Sequence, residues 1–174
     1  MPRPPRDRSP GTHHVTVGAT GDEPYFRDEV DRLNWIRRFI VVLDRFAWRC
    51  EIFCQLNTHV HCLLDVPDES LPVGMHQLNT AYALAFNDRH VRRGTLQRAR
   101  YWSSVKGDSD ALLAAYRYIA RNPVEAGFTD DPAKWRWSSF ATSCGIRDAY
   151  PFVDARRVVG ELGGNPHALR GLAA

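Results

Sequence analysis

Two alternating segments joined by a two-residue turn constrain the fold more than any other feature of the sequence. Arg49–Leu56 and His59–Val66 each carry an apolar residue at every second position, and Asn57-Thr58 separates them. Because side chains alternate across a strand, each segment presents one apolar face. The sequence therefore predicts a β-hairpin. Its apolar sets are Cys50, Ile52, Cys54 and Leu56 on the first strand and Val60, Cys62, Leu64 and Val66 on the second.

The elements around this hairpin predict an α+β fold. Their order is strand, helix, strand, strand, helix, strand and then an extra helix. This order is typical of a ferredoxin-like (split βαβ) antiparallel sheet with helices on one face. Pro123 should end the last of these helices near Arg121. The predicted elements outside the hairpin are a strand at 13–19, helices at 28–48 and 73–87, a strand at 101–106 and a helix that begins at Asp108 or Ser109.

Length and composition indicate one globular domain. The chain has 174 residues, of which 44% are hydrophobic. Residues 1–11 are rich in proline and arginine and predict a flexible arm, residues 12–147 the main domain, and residues 148–174 a C-terminal extension. No apolar run approaches the roughly 18 residues of a membrane helix, and the first residues lack the apolar stretch of a secretory signal. We therefore expect a cytoplasmic protein without a membrane partner, whose four cysteines are buried and unpaired.

His59 and His61 share the polar face of the second hairpin strand, about 7 Å apart at the backbone. Two imidazoles at this spacing can bind one divalent ion. They lie opposite the apolar set, so the core does not need them. A pair of solvated surface histidines fits the same pattern, and the spacing alone leaves both interpretations open.

Tyr118 and Asn122 lie four residues apart and therefore on one face of the predicted third helix. Small residues on that face leave room for a nucleic-acid backbone to approach the phenol. A partly buried aromatic residue, with an asparagine that ends the helix before Pro123, would explain the same pattern. The small residues are Ala111, Ala114 and Ala115.

The densest basic and aromatic segment lies between the second helix and the fourth strand. Such a composition suits contact with a nucleic-acid backbone together with base stacking, although a solvated loop can have it too. Of the 23 basic residues 21 are arginines, whose planar guanidinium suits phosphate; a GC-rich genome would give the same bias. The candidate DNA-binding residues are Arg89, Arg92, Arg93, Arg98, Arg100 and Trp102.

Short motifs in a fixed order connect these residues to a known family. They are His14-Val15-Thr16, Tyr25-Phe26-Arg27-Asp28, His59-Val60-His61-Cys62-Leu63-Leu64, Met75-His76-Gln77-Leu78-Asn79, Phe86-Asn87-Asp88-Arg89-His90, Tyr118-Ile119, Asn122-Pro123-Val124-Glu125-Ala126-Gly127 and Trp135-Arg136-Trp137-Ser138-Ser139. Over roughly residues 11–147 the chain resembles the IS200-like single-tyrosine HUH transposases, and among them the REP-associated tyrosine transposases.

The resemblance implies an HUH-endonuclease type of fold and a role for each candidate residue of the active site. Tyr118 would be the nucleophile, and His59, His61 and Asn122 would bind Mg²⁺ or Mn²⁺. The substrate would be single-stranded DNA with a hairpin, from REP-like or element-end sequences. Cleavage would proceed through a 5′-phosphotyrosine intermediate and allow strand transfer. Members of the group act as monomers or homodimers, so both states are open for this chain.

Two other functions fit parts of the same pattern. A domesticated protein could bind hairpin DNA without cutting it, and it would need neither Tyr118 nor Asn122. A metal-dependent phosphodiesterase could act through water, and its activity would survive Tyr118→Phe. The presence of all four candidate residues favours the strand transferase.

Overall fold

The computed structural model describes residues 8–19, 23–97 and 100–174. Its centre is a four-stranded sheet in the order β2-β3-β1-β4. β3 lies between β1 and β2 and runs antiparallel to both, while β4 pairs antiparallel with the other side of β1. This arrangement confirms the predicted ferredoxin-like sheet. The strands are β1 (Gly11–Gly18), β2 (Arg49–Gln55), β3 (His59–Val66) and β4 (Trp102–Val105).

Six α-helices accompany the sheet in the described residues. The first three begin with or near the residues predicted for them, and Asp28 and Asp108 cap two of them by accepting hydrogen bonds from the backbone of the first turn. The helices are α1 (Glu29–Phe46), α2 (Leu71–Arg89), α3 (Ser109–Glu125), α4 (Phe140–Ser143), α5 (Arg156–Glu161) and α6 (Ala168–Ala173); a short 3-10 helix spans Pro132–Lys134.

Helices cover both faces of the sheet. α1 and α2 pack on the face that carries Val60, Cys62 and Leu64, as predicted. α3 and the C-terminal helices pack on the opposite face, against Ile52 and Leu63. The expectation of helices on one face is therefore correct for α1 and α2 only. The second face attracts helices because β2 and β3 present apolar side chains there as well.

A β-bulge in β2 produces this second apolar face. Cys50 lies opposite Leu64 but Ile52 lies opposite Leu63, so one extra residue, Glu51, is inserted into β2. The prediction that Cys50 and Ile52 share a face is wrong, because the bulge reverses the alternation. Cys50 contacts the core under α1 and α2, whereas Ile52 contacts the core under α3.

α3 continues past Pro123, where the sequence predicted its end. A proline in the last turn removes only one backbone donor, and backbone hydrogen bonds from residues after the proline maintain the helical turn. The Ala126 N–H donates to the Asn122 carbonyl at 2.9 Å, and the Phe128 N–H donates to the Pro123 carbonyl at 2.9 Å. The helix therefore reaches Glu125, and Asn122 lies inside it.

The C-terminal extension packs against the rest of the fold. Phe152 stacks on Phe53, and Val158 and Leu169 are fully buried in the cluster under α3. Of the arm predicted at residues 1–11, residues 1–7 lie outside the described residues. All four cysteines are buried and free, as predicted. None of the described helices has both the length and the hydropathy to span a bilayer.

Candidate active site

Strands β1 and β3 bring four polar side chains to the face that α3 covers. Thr16 lies directly opposite His61 in the β1–β3 register. His14 and His59 are each two residues from one of these and so share their face. The sheet therefore gathers three histidines and a threonine beneath α3.

His61 is the best-defined member of this group. Its side chain is buried, and its Nδ1 lies 2.9 Å from Thr16 Oγ1 and 3.1 Å from His14 Nε2. Its Nε2 is buried and has no hydrogen-bond partner among the described residues. When Nδ1 carries the proton, Nε2 has a free lone pair, which is the usual arrangement of a histidine that binds a metal.

His59 is placed in a similar way. Its ring centroid lies 4.8 Å from that of His61, with the planes almost perpendicular, and its Nδ1 lies 2.9 Å from Thr58 Oγ1. The two imidazoles therefore fit a divalent ion. The described residues contain no group of three or more His, Cys, Asp or Glu that could hold an ion. Further ligands would have to be an amide, a hydroxyl, water or phosphate.

Burial keeps these histidines neutral near pH 7. Desolvation, with smaller contributions from His59 and His14, lowers the pKa of His61 to about 3. Desolvation, and then the charge of Lys106, lowers the pKa of His14 to about 4. Burial also lowers the pKa of His59. A neutral imidazole is the form that binds a metal.

Tyr118 projects from α3 over this group. Its ring centroid lies 5.4 Å from that of His61 and 5.7 Å from that of His14, and its side chain is 46% exposed. A cavity of about 490 Å³ lies in front of it. The phenol is therefore open to a substrate while the histidine behind it is buried. The cavity is lined by His14, Thr16, His61, Trp102, Lys106, Ala111, Ala114, Ala115 and Tyr118.

Asn122 lies one turn beyond Tyr118 and is nearly buried. Its Nδ2 donates to the Tyr118 carbonyl at 3.0 Å, which leaves Oδ1 as the atom that could bind a metal. Neither Asn122 nor His59 lines the cavity in front of Tyr118. Of the four predicted residues, the structure brings His61 and Tyr118 to the cavity directly, with His59 beside His61 and Asn122 next along the tyrosine helix.

Comparison with known proteins finds similarity both in sequence and in structure. Over 134 residues the chain is 25% identical to a Haemophilus influenzae protein named "Putative REP-associated tyrosine transposase", and the match covers 71% of each protein. The chain also matches the structure of the REP-associated tyrosine transposase bound to a REP hairpin, with a TM-score of 0.72, 19% identity and coverage of 91% of this chain and 93% of that one. This chain resembles the REP-associated tyrosine transposases in sequence and in fold. The resemblance expected from the motifs is confirmed. No protein-family model matches the chain.

Three residues near Tyr118 were not among the predicted site residues. His14 and Thr16 hold Nδ1 of His61, and Lys106 is the only cation that lines the cavity among the described residues. The alternation of β1 was the available signal for His14 and Thr16, because it places them opposite Val15 and Val17. Lys106 follows the end of β4, and no sequence pattern marked it as a residue of the site.

The predicted DNA-binding residues fall into separate groups. Trp102, 54% exposed, lines the Tyr118 cavity and meets His14 edge-on at 5.3 Å between centroids. Arg89 forms ion pairs with Asp28 and Asp31, and thereby ties the end of α2 to the start of α1. The remaining four differ in their surroundings: Arg92 pairs with Glu23, Arg93 and Arg100 are exposed, and Arg98 lies outside the described residues.

Proposed function

We propose that this protein cleaves single-stranded DNA at hairpin-flanked sites and transfers the cut strand through a 5′-phosphotyrosine intermediate. One observation carries the proposal: the exposed phenol of Tyr118 stands beside the buried His61, whose Nε2 has no partner among the described residues. An exposed phenol next to an imidazole nitrogen with a free lone pair, which could bind a metal ion, suits phosphodiester cleavage. The likeness to REP-associated tyrosine transposases supports the same activity.

His59, His61 and Asn122 would hold Mg²⁺ or Mn²⁺. The bound ion would supply positive charge that offsets the charge developing on the scissile phosphate. The Tyr118 oxygen would attack phosphorus in line with the leaving group and lose its proton. The P–O3′ bond would break, and the 3′-oxygen would take up a proton and leave as a hydroxyl. Because the phosphotyrosine ester keeps the bond energy, a 3′-hydroxyl of another strand could reverse the step and complete strand transfer.

The other residues of the cavity would bind and orient the DNA. Lys106 would attract the phosphate next to the scissile one, and the exposed ring of Trp102 would stack on a base. His14 and Thr16 would hold His61 in the tautomer that leaves Nε2 free. The alanines of α3 leave space for the sugar-phosphate backbone beside the phenol.

The expected DNA partner is a hairpin with single-stranded flanks, as the structural neighbour is bound to a REP hairpin. We infer that one chain is sufficient, because Tyr118 lies over the histidines of its own chain. Packing of α3 by the C-terminal extension supports this, since Arg121 donates to the Ala173 carbonyl at 3.1 Å. A homodimer would therefore not be needed to complete the site. We expect the protein to act in the cytoplasm.

End-labelled DNA tests the proposal. The protein is incubated with Mn²⁺ and hairpin DNAs with single-stranded flanks, labelled at either the 5′ or the 3′ end. We expect a denaturation-resistant adduct that retains the 3′ label only and disappears in Tyr118→Phe. Binding without an adduct would instead support a protein that recognises hairpins without cutting them. Cleavage that persists in Tyr118→Phe would indicate a phosphodiesterase that acts through water.

A further inference from the structure

The proposed cleavage needs a proton whose source has not been named. When the P–O3′ bond breaks, the 3′-oxygen has to take up a proton, because an alkoxide is a poor leaving group. A side chain that supplies such a proton acts as a general acid and typically accelerates a reaction by about 10²–10⁴-fold. In-line displacement places the leaving oxygen on the side of phosphorus that faces away from the attacking phenol. A proton donor of the protein should therefore lie in the cavity in front of Tyr118, apart from the phenol itself.

Lys106 reaches this cavity from the end of β4. Its backbone N–H donates to the Thr12 carbonyl at 2.7 Å, so the β1–β4 ladder continues as far as Lys106. Side chains alternate along a strand, and those of Trp102, Ser104 and Lys106 therefore share the face that α3 covers. Trp102 and Lys106 both line the cavity, in agreement with this alternation.

The ammonium of Lys106 lies back along the strand, towards Tyr118. Its Nζ lies 3.4 Å from Ser104 Oγ. Ser104 is directly opposite His14 in the β1–β4 register, and the ring centroids of His14 and Tyr118 are 5.7 Å apart. The cation is therefore held on the sheet side of the cavity, one side chain away from the phenol. No carboxylate lines this cavity in the described part of the chain, so no acidic side chain there competes with the substrate for the ammonium.

The other polar groups of the cavity have different partners or do not release a proton. His14 and Thr16 both contact Nδ1 of His61. The indole N–H of Trp102 donates hydrogen bonds but does not ionise. Apart from the nucleophile, the remaining lining residues are alanines. Lys106 alone among the described lining residues carries an ammonium group, which has three protons to donate.

We propose that Lys106 is the general acid that protonates the leaving 3′-oxygen. This inference rests on the proposed function and names the source of a proton that the proposed reaction requires. As the Tyr118 oxygen bonds to phosphorus, the phenol proton passes to water on the exposed side of the ring and the P–O3′ bond breaks. The ammonium gives one proton to the 3′-oxygen, which leaves as a hydroxyl, and the resulting amine regains a proton from water. In strand transfer the amine takes the proton of the attacking 3′-hydroxyl, since the reverse step uses the same groups.

A substrate with sulfur in place of the leaving 3′-oxygen tests this assignment. The cut position is first mapped with the wild-type protein and Mn²⁺ on hairpin DNA with single-stranded flanks, and a 3′-bridging phosphorothiolate is then placed there. The pKa of a thiol is about 8.5, so a thiolate leaves without protonation. Lys106→Met keeps the length of the side chain but removes the proton donor. In single turnovers the variant should form the adduct about 100-fold more slowly than the wild type on the oxygen substrate, but within about threefold of it on the sulfur substrate.

Two further variants separate proton transfer from attraction of the DNA backbone. Lys106→Arg keeps the positive charge, but a guanidinium does not release a proton. This variant should bind the DNA as the wild type does and still form the adduct at least about tenfold more slowly on the oxygen substrate. Lys134→Met removes the only other lysine, which is exposed and pairs with Asp130, and it should react like the wild type with both substrates.

Three results would overturn the inference while the adduct itself still supports the proposed function. Lys106→Met could cleave the oxygen substrate as fast as the wild type, or it could be slowed equally on both substrates, as expected if Lys106 acts by its charge alone. Lys106→Arg could restore the wild-type rate on the oxygen substrate. A wild-type protein that forms no adduct with either substrate would refute the proposed function, and the inference with it.

Discussion

Acidification combined with Glu51→Gln tests whether the candidate metal-binding histidine is buried and neutral. Glu51 is the extra residue of the β2 bulge, is 1% exposed, and its Oε2 has no partner among the described residues. Burial, and then the nearby charge of Asp154, raises its pKa to about 7. The pKa values of His61 and His14 lie well below the usual 6.5. The carboxyl and the imidazoles therefore respond to acid in opposite directions.

The two effects oppose each other between pH 7.5 and 5.5. The folded state holds the Glu51 proton more tightly than the unfolded state, so acidification adds about 2 kcal/mol of stability as pH falls through 7. As the pH falls, His61 and His14 take up protons in the unfolded state at a higher pH than in the folded state, so acidification destabilises the fold. At pH 5.5 the folded protein has therefore lost about 3 kcal/mol of stability through His61 and His14 together. Between pH 7.5 and 5.5 the free energy of unfolding should therefore fall by about 1 kcal/mol in the wild-type protein and by about 3 kcal/mol in Glu51→Gln.

Urea unfolding at pH 7.5 and 5.5 measures both free energies of unfolding. The variant keeps the shape of the side chain but cannot titrate. Glu69→Gln, at an exposed position, is the matched control and should follow the wild type. Equal losses of stability in the wild type and in Glu51→Gln would refute the reasoning. A variant that loses no stability on acidification would show that the histidines are not buried and neutral.

Three further substitutions test the surroundings of the site. Thr16→Val removes the hydroxyl at Nδ1 of His61 and should weaken Mn²⁺ binding about tenfold by calorimetry; an unchanged Kd would contradict its role. Arg32→Met leaves the Leu56 carbonyl and Asn57 Oδ1 without their donor and the Gln55 carbonyl with that of Trp135 alone, so urea unfolding should show a loss of about 2–4 kcal/mol. Gly74→Ala places a Cβ against the buried ring of Trp48 and should cost about 1–3 kcal/mol, whereas Gly171→Ala, which meets open space, should not; equal stabilities of the two variants would disprove the clash.

The hairpin shows how much of the fold the sequence could predict. β3 has the predicted bounds, because its alternation is regular and a short turn precedes it. The bulge at Glu51 could not be predicted, because Cys50 and Ile52 on either side of it are both apolar. Each of them suits a core on either face of the sheet. Helix α3 was predicted too short for a related reason. A proline in the last turn removes only one bond, so Pro123 marks the end of α3 only approximately.

The candidate site was predictable where one element carries the information. Alternation in β3 places His59 and His61 together, and helical spacing places Tyr118 and Asn122 on one face. The contribution of β1 depends on its register with β3, and these strands are far apart in sequence. The role of His14 and Thr16 beside His61 therefore appears only in three dimensions.

Mass spectrometry of the protein after reaction with a defined hairpin DNA tests the central claim most directly. The account predicts an added mass equal to the fragment on the 3′ side of the cut, carried by the peptide that contains Tyr118. The addition should require Mn²⁺ or Mg²⁺ and should be absent from His61→Ala. A covalent fragment on any other residue, or cleaved DNA with no covalent fragment on the protein, would contradict it.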